Sequence, residues 1–306
     1  MLGAQWSWSS YAARRGLLAL LGLGMLGGAA LVAASEASAG ATPRHAAPRP
    51  SPAPQPAASA PSPESSAGTA APSLEPITIR PAAHPLDGVP AAQIDALLRK
   101  NPERLGSASV GRPNRGRLMN GVRLEPGGGI DVVDPGHAYG TELSVRSIQT
   151  AVAEVVRDFP DSPTLFVGDL SRNTGGYLRP HRSHQTGLDA DVGYYYREPV
   201  RWYTKANAKN LDRTRTLALL KALITQGNVE YVFMDRAVQA LLREHAAAEG
   251  APPELLDTLF EGRTRRRALV RHAPRHLTHF HVRFADPVAE ETGRRVLPAL
   301  QRRGRL

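Results

Sequence analysis

The chain has 306 residues, enough for one large domain or two small ones around a buried core. It contains no cysteine, which excludes disulfides, iron–sulfur centres, thiolate zinc sites and a cysteine nucleophile. A formal net charge of +10 favours an anionic partner: nucleic acid, an acidic membrane surface or an acidic polymer such as cell wall.

The N-terminus chooses among those partners. Arg14 and Arg15 precede an apolar, glycine-studded run from Gly16 to Ala34, and Ala37-Ser38-Ala39 follows. A basic stretch, an apolar stretch and a small-x-small site read as an export signal over residues 1–39, cleaved after Ala39. The paired arginines resemble a twin-arginine signal. The alternative is an uncleaved anchor, because the apolar run is just long enough to span a bilayer. Either reading puts the domain in the periplasm or elsewhere in the cell envelope. That sets nucleic acid aside and makes the membrane a partner only if the segment stays attached.

Residues 40–76 read as a linker. Ten of the 36 residues from 41 to 76 are proline, with alanine and serine filling most of the remainder. Such a segment buries no core and favours extended polyproline II, with a reach on the order of 100 Å. The folded part is expected over 77–300 as one domain, with a basic tail at 301–306 that includes the disorder-prone Arg302-Arg303-Gly304-Arg305.

Within that domain Asp95-Ala96-Leu97-Leu98 suggests a short helix, and the stretch from Arg112 to Asn120 reads as loop. Val145, Ile148, Val152, Val155, Val156 and Phe159 recur at helical spacing; Thr141 or Ser144 can cap that helix and Pro160 ends it. Leu165-Phe166-Val167 reads as a short buried strand. A second amphipathic helix begins at Asp212 and carries Leu217, Leu220 and Ile224 on one face. Val229, Tyr231 and Phe233 alternate as a strand with that face buried, and Asp235 caps a third helix stopped by Gly250. His279 to Phe284 has period two. Helices and strands mix without a βαβ rhythm, so the fold class is α+β, expected as a small antiparallel central sheet flanked by helices.

Two stretches carry the chemistry. The first runs from Pro180 to Asp191 and holds His181, His184, Asp189 and Asp191, with Gly187 supplying a bend. The second, from His276 to Val282, holds His276, His279 and His281. Neutral imidazole and carboxylate suit a borderline divalent cation such as zinc, and a catalytic zinc needs three protein ligands and an open position. On a strand, residues two apart share a face, so His279 and His281 turn to one site while Phe280 and Val282 enter the core. Asp189 and Asp191 share a face as well, and spacing does not choose between them.

Gly168-Asp169-Leu170-Ser171, Gly175-Gly176 and His181-Arg182-Ser183-His184-Gln185-Thr186-Gly187-Leu188-Asp189-Ala190-Asp191 resemble the penicillin-insensitive murein endopeptidases. That family belongs to the wider group of zinc peptidases with D-Ala-D-Ala metallopeptidases and the hedgehog zinc domain. The shared pattern, a His and an Asp seven apart followed by His-x-His, is matched by His184, Asp191, His279 and His281. Tyr139-Gly140-Thr141 and the helix around Asn210 to Leu223 are similar too. The resemblance implies one zinc ion on His184, Asp191 and His281, with His279 beside its water and His181 and His276 lining the site. Leu277 and Thr278 depart from the family, which often has acidic residues there. The carboxypeptidase relatives place a Glu base where this chain has Thr278, and no carboxylate occurs from Gly262 to Ala285.

The implied activity is hydrolysis of the D-alanyl–meso-diaminopimelyl cross-link of peptidoglycan, with no serine to be acylated by a β-lactam. His279 is the candidate for taking the water's proton or stabilising the oxyanion; His276 and His181 would orient groups or protonate the leaving amine. The alternatives are a carboxypeptidase or dipeptidase of the same zinc group, and a non-catalytic wall-binding domain. Arg263, Arg265, Arg266, Arg267, Arg271 and Arg275 either meet substrate carboxylates or form a solvated basic face. Tyr194-Tyr195-Tyr196 and Trp202 are expected in the core, with a substrate wall as the alternative.

Overall fold

The computed structural model describes residues 83–262 and 268–304. The export signal, the Pro-rich linker, the start of the domain at residue 77, and Arg263, Arg265, Arg266, Arg267 and Arg305 lie outside the described residues.

Helix α1 (Ala91–Lys100) leads into a hairpin of β1 (Ala108–Arg112) and β2 (Arg115–Met119), followed by β3 (Val122–Arg123). The stretch from Arg112 to Asn120, read above as loop, is therefore largely strand. Its exposed arginines and glycines hide the pattern, because only Leu118 on β2 is buried. Then come β4 (Ile130–Val132), β5 (Tyr139–Gly140) and α2 (Glu142–Asp158), which is capped by Thr141 accepting from Ser144 N. Strand β6 (Leu165–Val167) is followed by the loop that carries the first histidine stretch, and β7 (Asp189–Gly193) closes that loop. The second half is α3 (Arg213–Thr225), β8 (Val229–Met234), α4 (Arg236–Ala248), α5 (Pro253–Leu259), β9 (Val270–His272), β10 (His279–Phe284) and α6 (Pro287–Arg302). Asp212, Asp235 and Asp286 cap α3, α4 and α6 with their carboxylates.

Six strands form the main sheet in the order β4-β6-β7-β10-β8-β9. The expected antiparallel sheet holds only for its centre: β6, β7, β10 and β8 pair antiparallel, whereas β4–β6 and β8–β9 are parallel. The cause is connectivity. Helix α2 returns the chain from β4 to β6, and α4 with α5 returns it from β8 to β9, so each partner runs the same way. The result is a mixed α and β fold.

One face of the sheet is the core. Ala190, Val192, Phe280, Val282, Val232 and Met234 point into it and pack with Val145, Ile148, Val152, Leu217 and Leu220 of α2 and α3. On β8 the deeply buried side is thus Val232 and Met234. Tyr231 and Phe233, expected to be buried, are half-buried on the opposite face, whereas Val229, paired with Phe284 beyond a register shift, packs partly against the core. That opposite face is polar at the centre, since β7 and β10 place Asp191 opposite His281 and Asp189 opposite Arg283. A smaller core joins Ile94 and Leu98 of α1, Val110 of β1, and Val296 and Leu300 of α6. Of the tail expected to be loose, Arg302 ends α6 and Arg303 reaches Asp95 at 2.7 Å. Among the described residues no helix is long and apolar enough to cross a membrane.

Candidate metal centre

Asp191 sits on the central strand with histidines converging on it from two directions. His184 is delivered by the loop before β7, where it adopts φ +66, an uncommon conformation for a non-glycine residue. Two bonds fix it there: its backbone N–H donates to Asp189 Oδ2 at 3.0 Å, and its Nδ1–H donates to the Leu170 carbonyl at 2.8 Å. The second bond leaves the Nε2 lone pair facing inward. Gly187, at φ +75, makes the bend between His184 and Asp191. Its carbonyl accepts from Thr141 N and Ser144 Oγ, tying the loop to the start of α2.

His281 enters from β10. Its Nδ1 lies 3.1 Å from His184 Nε2 and 3.2 Å from Asp191 Oδ1, and those two atoms are 3.4 Å apart. Three donor atoms thus form a near-equilateral triangle. Bonds of about 2.0–2.1 Å at tetrahedral angles would place ligand atoms about 3.3–3.4 Å apart, so the spacing matches a zinc site. The outward nitrogens are engaged too: His281 Nε2–H donates to Asp189 Oδ1 at 2.8 Å, as His184 Nδ1–H does to Leu170. Metal-bound histidines are oriented by such bonds.

His181 also reaches this group. Its Nε2–H donates to Asp169 Oδ2 at 2.8 Å while Nδ1 faces Asp191 Oδ2 at 3.7 Å. His181, His184 and Asp191 offer ligand atoms within 4.8 Å of one another and could hold a metal ion. His279 points Nε2 at Asp191 Oδ2 at 3.6 Å, with Nδ1 2.8 Å from the Thr278 hydroxyl. His276 stands further out, its ring 5.1 Å from that of His279 and its Nδ1–H donating to the Pro274 carbonyl. The five histidines of the two stretches are therefore brought together around Asp191, with His276 at the edge.

Several contributors were not legible. Spacing alone does not choose between Asp189 and Asp191, and the resemblance points to Asp191; Asp189 is taken by Arg283, whose Nε and Nη2 donate at 2.7 and 2.6 Å, as well as by His281. The signal was present, because Arg283 shares the period-two face of His279 and His281. Asp169 accepts from His181 and from His137 Nδ1 at 3.0 Å. His137 lies far from both histidine stretches in sequence, and nothing in the order of residues joins it to them. Tyr194, Tyr195 and Tyr196 are buried core, as expected, while Trp202 lies against His279.

The electrostatics follow from burial and pairing. Burial opposes charge on Asp191 and Asp189, yet the surrounding histidines and, for Asp189, Arg283 hold both carboxyls below the ordinary range. Burial likewise opposes charge on His281, but its bonds to Asp189 and Asp191 outweigh it and raise the group to about 9. Burial dominates at His279 and lowers it to about 4; at His276 it also pushes the group down.

The linkage has a definite sign. A histidine raised from 6.5 to about 9 stabilises the fold fully below pH 6.5, and that contribution disappears as pH climbs through 9. The metal-free protein is expected to lose thermal stability between pH 6.5 and 9. Binding a cation requires the same proton to leave, so the zinc-loaded protein should show no such alkaline loss. Melting temperatures of chelator-treated and zinc-loaded protein at pH 6.5 and 9 check this.

No curated protein matches the chain. Residues 109–302, a span that includes every residue of this centre, match the family described as penicillin-insensitive murein endopeptidase. That match covers more than half of the 306 residues, and the chain belongs to this family of murein-cleaving peptidases.

Proposed function

We propose that the chain is a zinc-dependent endopeptidase of the cell envelope that hydrolyses the D-alanyl–meso-diaminopimelyl cross-links of peptidoglycan. His184, Asp191 and His281 would hold the ion. The observation that carries the reading is the triangle of donor atoms 3.1–3.4 Å apart, each imidazole being oriented by a bond from its other nitrogen. When bound, zinc polarises the scissile carbonyl and activates a water.

The protein's own groups supply the remainder. His279 is the nearest imidazole outside the triangle on β10, and its Nε2, free of the Thr278 hydroxyl, accepts the water's proton or stabilises charge on the carbonyl oxygen. His276, beside His279, orients groups at the mouth of the site. His181 has two readings. With Nε2 held by Asp169 it can return a proton to the leaving amine, but its Nδ1 near Asp191 also suits a fourth metal donor. Zinc affinity of His181→Ala separates them: unchanged affinity with slower cleavage supports the proton role, and weakened affinity supports the donor role.

A carboxypeptidase reading is less well supported, because the position of the relatives' glutamate base is Thr278, whose hydroxyl is engaged with His279. His279→Ala is expected to lower the cleavage rate about 100-fold or more while leaving zinc content unchanged. Near-normal cleavage by that variant would remove His279 from the mechanism.

A further inference from the structure

Beside His279 an aromatic ledge leaves the body of the protein. The Trp202 ring lies 5.8 Å from that of His279 at an interplanar angle of 30°. It is seated on Gly168, where a Cβ would come within 2.6 Å of the indole, so only glycine permits this approach. Tyr203 packs 4.9 Å from Trp202 and meets His279 edge-on at 6.3 Å. Yet Tyr203 is 62% exposed, and its backbone sits at φ +67. A bulky residue is costly in that left-handed region, where glycine fits without strain. An exposed ring recovers little of the cost by packing, and strain retained beside a reactive group points to function.

We propose that Trp202 and Tyr203 form a substrate wall, with the exposed Tyr203 ring contacting the alkyl portion of a stem-peptide side chain and fixing the peptide beside His279. This rests on the endopeptidase reading above and names the residue that recognises the substrate. A ring face suits methylene and methyl groups, and its phenolic edge tolerates water. The neighbouring segment is cationic, with exposed Arg197, Arg201 and Lys205 against the one carboxylate Glu198, which is compatible with a peptide rich in carboxylates.

The test uses the full chain carrying Trp6→Phe and Trp8→Phe, so that Trp202 is the sole tryptophan and reports on the ledge. The zinc-loaded protein is titrated with free stem tetrapeptide, the peptide part of the expected product, and with the wall disaccharide alone. The tetrapeptide should change Trp202 fluorescence and the disaccharide should not. Tyr203→Gly and Tyr203→Asn should weaken tetrapeptide binding about tenfold and raise KM for cross-linked dimer alike, with kcat little changed. Tyr203→Phe should bind as the parent does. Tyr203→Gly should also keep or raise the melting temperature, since it relieves the backbone.

Unchanged affinity in Tyr203→Gly, a response to the disaccharide alone, or a lowered melting temperature with affinity intact would overturn the proposal. A parent protein that binds tetrapeptide but cleaves no dimer would support the wall and contradict the endopeptidase reading instead.

Discussion

Asp191→Ala is expected to abolish stoichiometric zinc binding and to lower cross-link cleavage about a thousandfold or more, the scale of several kcal/mol lost at the reacting centre. Asp191 is the hub of the site: His184, His281, His181 and His279 all lie within 3.7 Å of its two oxygens. Removing it leaves a buried cluster of imidazoles with no central negative charge. Metal content by atomic absorption and dimer cleavage by chromatography read the two effects separately. Asp189→Asn should behave differently. Its carboxylate orients His281, so the expected loss is about 10–100-fold in zinc affinity, with binding still measurable. Equal losses in the two variants would make Asp189 the ligand and require the site to be redrawn.

The second large effect falls on stability. Arg283 and Asp189 are a buried pair joined by three donor–acceptor contacts of 2.5–2.7 Å, and Asp189 is fully buried. Arg283→Ala strips that carboxylate of its guanidinium in the middle of the sheet, at an expected cost of about 3–5 kcal/mol. For a domain of this size that is a fall in melting temperature of about 10 °C. The half-buried Tyr231 ring, 5.6 Å from the guanidinium, also loses its partner. The double variant Asp189→Asn with Arg283→Met should recover part of the loss, because no unpaired charge then remains. Denaturant titration of Asp189→Asn, Arg283→Met and the double variant closes the cycle and gives the coupling directly. A single variant as stable as the parent would show that water reaches the pair.

The sequence announced this site unusually well because its residues come in two short runs on adjacent strands. His184 and Asp191 flank a glycine bend, and His279 and His281 share a strand face; once β7 pairs with β10, both runs meet. Helix caps were equally local, since Thr141, Asp212 and Asp235 each bond a backbone N–H two or three residues on. What was not legible depends on distance through space. The parallel edges of the sheet follow from where α2 and α4–α5 return the chain, which periodicity does not state. The deep face of β8 is not legible because Tyr231 and Phe233 are as apolar as Val232 and Met234; only the register against Arg283 and His281 decides which pair is deep. Asp169 and His137 meet across 32 residues, and Tyr203 differs from any other surface tyrosine only through its backbone angle and its neighbours.

The most direct test incubates the purified protein with cross-linked peptidoglycan, with chelator, without it, and with zinc restored, and then separates the muropeptides. The account predicts loss of dimers and gain of monomers, abolished by the chelator and recovered with zinc. Release of D-alanine alone, or cleavage that persists after the metal is removed, would contradict it.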